Sequence, residues 1–191
     1  MLKYLTLLIF LSFASFSQDL PYREIPEYPE SFSANNVVVR MIEGLAFRYY
    51  WATEGLREED LNYKPSADGR TTLQTIEHIN GLVNVSKNTI FNVPTVFGPR
   101  PEKMFEELRK ETLTNLELAA NLLREHPETE LEELKMVFKS ENSETVYPFW
   151  NLINGPLEDA VWHVGQVITF RRSSGNPYNS KAGVLTGKVS E

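Results

Sequence analysis

An aspartate and a histidine four residues apart, Asp159 and His163, stand in the run LEDAVWHVGQV. Residues at i and i+4 of a helix share one face, with about 5–6 Å between their Cβ atoms, so one ion can bridge them. Carboxylate oxygen and imidazole nitrogen both suit a divalent transition metal. A third donor must come from another element. His78, midway along TIEHINGL and surrounded by an apolar stripe, is the candidate. Two histidines and one carboxylate leave coordination positions open for water or substrate, as catalytic sites do. The same residues also admit a purely structural reading. Asp159 lies near a predicted helix start, where the helix dipole favours an acid without any ligand. His78 and His163 could each be core histidines bonded to backbone carbonyls. Glu158 could replace Asp159, although i,i+5 matches the face less well. Spacing alone leaves these alternatives open.

The other residues with chemical potential are few. His126 precedes Pro127 at a predicted helix end, where a cation complements the terminal carbonyls, and no chemistry is assigned to it. Glu77 lies about 100° around the helix from His78 and reads as solvated or as a supporting partner. Trp51, Trp150 and Trp162 read as core or pocket walls. The chain has no cysteine, which excludes disulfides, thiolate zinc sites and a cysteine nucleophile. No G-x-S-x-G or H-E-x-x-H occurs, and Gly69 and Gly165 belong to no phosphate-binding fingerprint. With 19 Lys+Arg against 26 Asp+Glu and a formal net charge of −7, a broad nucleic-acid footprint is not expected.

Four amphipathic segments must position these side chains. Ser33 is a plausible N-cap, and apolar residues at Val38, Met41, Ile42, Leu45, Tyr49 and Ala52 predict helix one over about 34–56. The polar stretch REEDLNYKPSADGR, with Pro65 and Gly69, reads as a loop. Thr71 and Gln74 form a T-x-x-Q capping box that starts helix two, which carries His78 and ends near Asn92. Pro101 suits the first position of helix three, with Glu102, Glu106 and Glu107 in its opening turns. Helix four, carrying Asp159 and His163, opens at Asn154-Gly155-Pro156. It stops with Arg171 and Arg172 in its last turn, Gly175 at C′ and Pro177 beyond. Between helices three and four, KMVFK and ETVYP flank the turn SENS, which predicts either a short β-hairpin near 135–147 or a loop wrapped over the helices. The whole reads as an all-α, up-down four-helix bundle.

The ends read differently. Lys3, the mostly apolar Tyr4–Phe16 and the small residues Ser15 and Ser17 match a secretory signal peptide over 1–17, with the cut before Gln18. That apolar run is shorter than the ~20 residues a spanning helix needs. Export to a periplasmic or extracellular location follows, with no membrane association after cleavage. Residues 18–32, with Pro21, Pro26 and Pro29, predict an extended arm. The bundle occupies 33–177, and the polar tail 178–191 is expected to be loose.

The stretch YPFWNLINGPLEDAVWHVGQVITFRRSSGNP resembles the final helix of DinB-like (YfiT-type) four-helix-bundle proteins. In these, a ligand pair four residues apart is followed by a G-Q-[IV]-x3-R-R-x2-G-[NR]-P-like run. Gly165-Gln166-Val167, Arg171-Arg172 and Gly175-Asn176-Pro177 fit that ending. Thr71–Gln74–His78 matches the family's setting for its first ligand, and Leu61-Asn62-Tyr63-Lys64-Pro65 looks like its helix one–two loop. The resemblance spans roughly Val38–Pro177. It implies that His78 and His163 occupy two metal-ligand positions. Asp159 occupies the third, most often a histidine in the family, and an oxygen donor there opens the choice to zinc, nickel, iron or manganese. It also implies a thiol-dependent transferase or isomerase, with a homodimer as the candidate assembly; a bound metal could instead acidify a water and support hydrolysis of an unidentified small molecule. An exported chain would lack the intracellular thiol pool, which weakens the transferase reading. The alternative is a non-catalytic helical bundle that binds a ligand or partner and keeps its histidines for structure.

Overall fold

The computed structural model describes residues 20–99 and 101–190. The signal-peptide reading of 1–17 lies outside the described residues. The molecule is mostly helical, with small strands. Its long helices are α1 (Ala34–Thr53), α3 (Thr72–Ile90), α4 (Phe105–Glu125) and α6 (Glu158–Ser173), with short helices α2 (Glu58–Leu61) and α5 (Trp150–Leu152) between them. α1 and α3 each pack against both α4 and α6. Ile42 and Tyr49 of α1, Ile79 of α3, Leu116 of α4 and Val167 of α6 meet in a single core from which solvent is excluded. Each such aliphatic side chain contributes about 1.5–3 kcal/mol by leaving water. No helix of the described residues is long and apolar enough to cross a membrane.

The starts of the helices follow from local chemistry. Ser33 accepts a hydrogen bond from the Asn36 N–H (3.2 Å) and opens α1. The Thr71–Gln74 box is reciprocal. The Thr71 N–H donates to Gln74 Oε1 (2.9 Å), and the Gln74 N–H donates to Thr71 Oγ1 (3.1 Å). α1 ends at Thr53, short of the predicted 56, because the chain turns at Gly55 with φ +67°. The expected start of the third long helix at Pro101 is also corrected. The preceding segment is first engaged in a sheet, and α4 begins only at Phe105, where the Glu107 carboxylate accepts the Met104 N–H (2.8 Å).

That sheet resolves the segment between α4 and α6. Strands β2 (Lys135–Lys139) and β3 (Glu144–Pro148) form an antiparallel hairpin, and β1 (Thr95–Val96) adds to β2 in parallel. The polar stretch read as a loop after α1 contains α2. Its Asp60 is buried and receives the Arg57 backbone N–H (2.8 Å), Arg57 Nε (3.0 Å) and Nη2 (2.9 Å), Ser174 Oγ (2.6 Å) and Asn176 Nδ2 (2.6 Å). Arg171 reaches from α6 to the carbonyls of Trp51 (3.1 Å), Ala52 (2.9 Å) and Glu54 (2.9 Å), satisfying the open C-terminal end of α1. These contacts lock the C-terminal end of α6 to the C-terminal end of α1, so the two helices run parallel, where the expected up-down order would set them antiparallel.

The tail departs from expectation. Rather than lying loose, residues 178–190 include a two-stranded hairpin, β4 (Ala182–Gly183) with β5 (Lys188–Val189). The physical reason is apolar burial. Ala182 packs with Ile25 of the arm and with Phe47 and Trp51 of α1, and the Ile25 N–H donates to the Gly187 carbonyl (2.8 Å). The arm is held at a second point, where the Trp51 indole N–H donates to the Arg23 carbonyl (3.0 Å).

Candidate metal centre

His78 is presented by α3, and Asp159 and His163 by α6, so the packing of these two helices decides whether they meet. A ladder of buried amides sets the register of α3 against α4. Asn80 Nδ2 donates to Thr112 Oγ1 (3.0 Å), Asn84 Nδ2 to Asn80 Oδ1 (3.1 Å) and Asn115 Nδ2 to Asn84 Oδ1 (2.8 Å). Inside a core such polar groups must be paired with one another, so they specify a single alignment. On the other side, the predicted opening at Asn154-Gly155-Pro156 coincides with a kink between two helical runs. A π-helical turn occupies Ile153–Leu157, with Gly155 at non-helical angles (φ −96°, ψ −106°) and Pro156 lacking an N–H. The helix restarts at Glu158. Asp159 therefore lies in the first turn of α6.

The three predicted residues converge. One donor atom from each of His78, Asp159 and His163 can be chosen so that all lie within 4.8 Å of one another. His163 Nε2 lies 3.3 Å from Asp159 Oδ1, and His78 Nε2 lies 3.5 Å from Asp159 Oδ2. The imidazole rings meet edge to face with centroids 4.6 Å apart. Both N···O separations exceed the 2.7–3.2 Å of an ordinary hydrogen bond. Each, made to a different oxygen of the carboxylate, is close to the ligand–ligand separation of about 3.3–3.4 Å around an ion with ligand bonds of 2.0–2.1 Å. The donor set thus fits a divalent metal, and these three residues could hold one.

Electrostatics and access agree with that fit. Burial, with the fields of Arg70 and His163, holds the His78 imidazole below its ordinary pKa against the opposing pull of Asp159. At neutral pH His78 is therefore uncharged, the state in which its nitrogen can donate a lone pair. His163 Nδ1 faces Gln166 Oε1 at 2.8 Å. An amide oxygen only accepts, so this contact suits the tautomer with its proton on Nδ1, which leaves Nε2 toward Asp159. Side-chain exposure is 13% for His163, 33% for His78 and 38% for Asp159, so the cluster opens to solvent on the aspartate side. A small molecule can reach it there.

Other candidates fall outside. Glu158 and Glu77 are exposed, and neither belongs to the cluster. His126 caps the C-terminal end of α4 and faces Glu128 Oε1 (3.1 Å). Trp51 is buried and Trp150 borders an apolar hollow beside α1. Trp162 is exposed, so its expected place in the core or a pocket wall is corrected. Gln166 is the residue whose role at the site sequence reasoning missed. Its i+3 spacing from His163 was the available signal.

No protein-family model matches the sequence, and no curated protein matches it. A search of solved structures finds the crystal structure of a DinB-like protein, YjoA, from Bacillus subtilis. It superposes with a TM-score of 0.52 over 73% of this chain and 92% of that one, at 16% sequence identity. The fold is DinB-like. At that identity the likeness concerns architecture, and DinB-like architecture is what the final-helix motif implied. Roles for individual residues in this DinB-like chain rest on its own geometry.

Proposed function

We propose that this chain is an exported metal-binding protein in which a four-helix bundle presents His78, Asp159 and His163 to one divalent transition metal ion. Hydrolysis of a small molecule in the cell envelope is the activity this reading favours, with group transfer as the variant. The observation that carries it is the convergence of three donors from two helices at metal-ligand separations, with one imidazole pre-set by Gln166.

A bound divalent ion supplies Lewis acidity and an acidified water at neutral pH. The chain's own part is to supply and orient donors. Gln166 orients the His163 ring, burial keeps His78 uncharged, and the first turn of α6 presents Asp159 beside them. The exposed aspartate edge leaves room for a ligand that buries few polar groups on arrival. Zinc, nickel, iron and manganese all accept this nitrogen–oxygen set.

Elemental analysis of untagged protein tests the reading. Stoichiometric metal in the wild type and its loss in His163→Ala are expected. Absence of metal, or metal content unchanged by the substitution, overturns it. Fractionation with N-terminal sequencing tests export, where a mature chain beginning at Gln18 is the expected product, and light scattering tests for a homodimer.

A further inference from the structure

The face of α6 turned away from the histidine cluster borders a second cavity, of about 380 Å3, which the proposed metal chemistry does not use. Three segments build it. α1 supplies Phe47, Arg48 and Trp51; α6 supplies Val164, Gly165, Ile168 and Arg172; the tail closes it with Tyr178, Ala182 and Val184. None of these residues belongs to the cluster of His78, Asp159 and His163. The volume lies within the ~300–1,000 Å3 usual for small-molecule sites. Gly165 opens its floor: a β-carbon there would meet no heavy atom within 4 Å.

The walls are apolar, yet two guanidinium groups border them. Four arginines are matched to acids, Arg40 and Arg124 to Glu43, Arg57 to Asp60 and Arg109 to Glu54, and the buried Arg171 is matched to backbone carbonyls. Arg48 and Arg172 have no carboxylate partner among the described residues. Arg48 is half-buried, lies back along α1 and spends one N–H on the Gly44 carbonyl (2.9 Å). A β-carbon at Gly44 would crowd that guanidinium at 3.1 Å, so a glycine there leaves it room. Burial without an acid also lowers its pKa, the mark of a cation short of a counter-charge. Arg172 is exposed and lies over the Tyr178 ring, 5.3 Å from its centroid, with most of its N–H donors uncommitted.

We propose that this cavity binds a small amphipathic carboxylate, its apolar body between Trp51, Val164 and Ile168 and its anionic head on Arg48 and Arg172. The planar fork of a guanidinium matches a carboxylate bidentately, and a half-buried one gains most from such a pair. The apolar walls set the rest of the selectivity, since a bare small anion leaves them wetted. A neutral molecule of the same shape leaves both cations unmatched. The C-terminal hairpin is then a wall of a binding site, which accounts for the anchoring of a polar tail over an apolar hollow.

Octanoate is the probe, with 1-octanol as the uncharged body and acetate as the head alone. Binding is read by NMR from the Gly165 amide and the Trp51 indole N–H in the full chain. Octanoate is expected to shift both saturably, with 1-octanol and acetate each weaker by about tenfold or more, the scale of one charge-assisted pair. Arg48→Gln and Gly165→Leu should each weaken octanoate by at least that factor while metal content is unchanged, which separates this site from the histidine cluster. Arg172→Gln, a substitution on the surface, should weaken it as well and serves if Arg48→Gln does not fold. Equal affinity for octanol and octanoate, no saturable shift, or wild-type affinity in the arginine variants overturns the proposal.

Discussion

The hydrogen bond between His163 and Gln166 can be tested apart from the ligands themselves. Gln166→Leu keeps the helix and the approximate volume but removes the acceptor 2.8 Å from His163 Nδ1. The imidazole is then free to rotate and to carry its proton on Nε2, the nitrogen that faces Asp159 at 3.3 Å. Loss of such a supporting partner weakens metal binding by roughly 10–100-fold, or about 1.4–2.7 kcal/mol. The metal-free protein loses only one partly buried hydrogen bond, on the order of 0.5–1.5 kcal/mol. With metal in excess, each tenfold fall in affinity removes about 1.4 kcal/mol of metal-dependent stabilisation, roughly 3–5 °C of melting temperature for a chain of this length. Competition against a chromophoric chelator gives the affinity, and melting with and without metal gives the linked stability. Gln166→Glu still accepts from Nδ1–H and should retain binding, whereas His163→Ala should lose more than Gln166→Leu. Wild-type affinity in Gln166→Leu, or a Gln166→Glu variant as weak as it, would refute the argument that this residue sets the tautomer.

Two further perturbations address the frame that holds the site. The Arg57 guanidinium, with donors from Ser174 and Asn176, holds the Asp60 carboxyl well below the usual carboxylate range. A depressed folded pKa means that its contribution is complete above the unfolded value, about 3.9, and is lost as pH falls further below it. Asp60→Asn should therefore lower the unfolding free energy at neutral pH by about 2–4 kcal/mol, read from the urea midpoint, for a buried charge network that loses its acceptor, and flatten the loss of stability in acid. An unchanged midpoint at neutral pH would contradict the network's role. Gly187 sits at φ +68°, and a β-carbon there would lie 2.6 Å from Ile25 Cδ1. Gly187→Ala should cost at least about 1–2 kcal/mol and release the Ile25 amide, so hydrogen exchange at Ile25 that stays as slow as in the wild type counts against the anchoring of the tail.

Legibility from sequence divided along a physical line. Features written in local order could be read. The Thr71–Gln74 box, the apolar period of the long helices and the strand–turn–strand pattern at KMVFK-SENS-ETVYP each depend on neighbours a few residues apart. Features made by distant pairing could not. Asp60 looked like one more acid in a polar loop, because its partners Ser174 and Asn176 come from the far end of the chain. The tail looked loose because its residues are polar on average, and the few that matter, Ala182 above all, find their apolar partners on α1 and the arm. Asn80, Asn84 and Asn115 looked like ordinary polar positions; that they form a ladder depends on the alignment of two helices.

The candidate site stands astride that line, which explains why its members were found with unequal security. Asp159 and His163 share a helix, so their spacing alone puts them on one face, and what it left open included whether Asp159 or Glu158 turns inward. The kink at Gly155-Pro156 decides that point physically. It ends one helical run and starts another, so Asp159 turns toward α3 and Glu158 toward water. His78 belongs to a different helix and could be nominated only by the apolar residues around it. Its arrival 3.5 Å from Asp159 depends on the α3–α6 packing, which no local pattern encodes. Variants that let α3 move, including those that loosen its hold on α4, should therefore act on the site without touching a donor. Asn84→Leu removes the central rung of the amide ladder and leaves Asn115 without its acceptor, at a cost of about 1–3 kcal/mol. If the ladder sets the register, this substitution lowers metal affinity as well as stability. If the ladder only contributes stability, metal affinity per folded molecule remains that of the wild type, and chelator competition on the folded fraction separates the two.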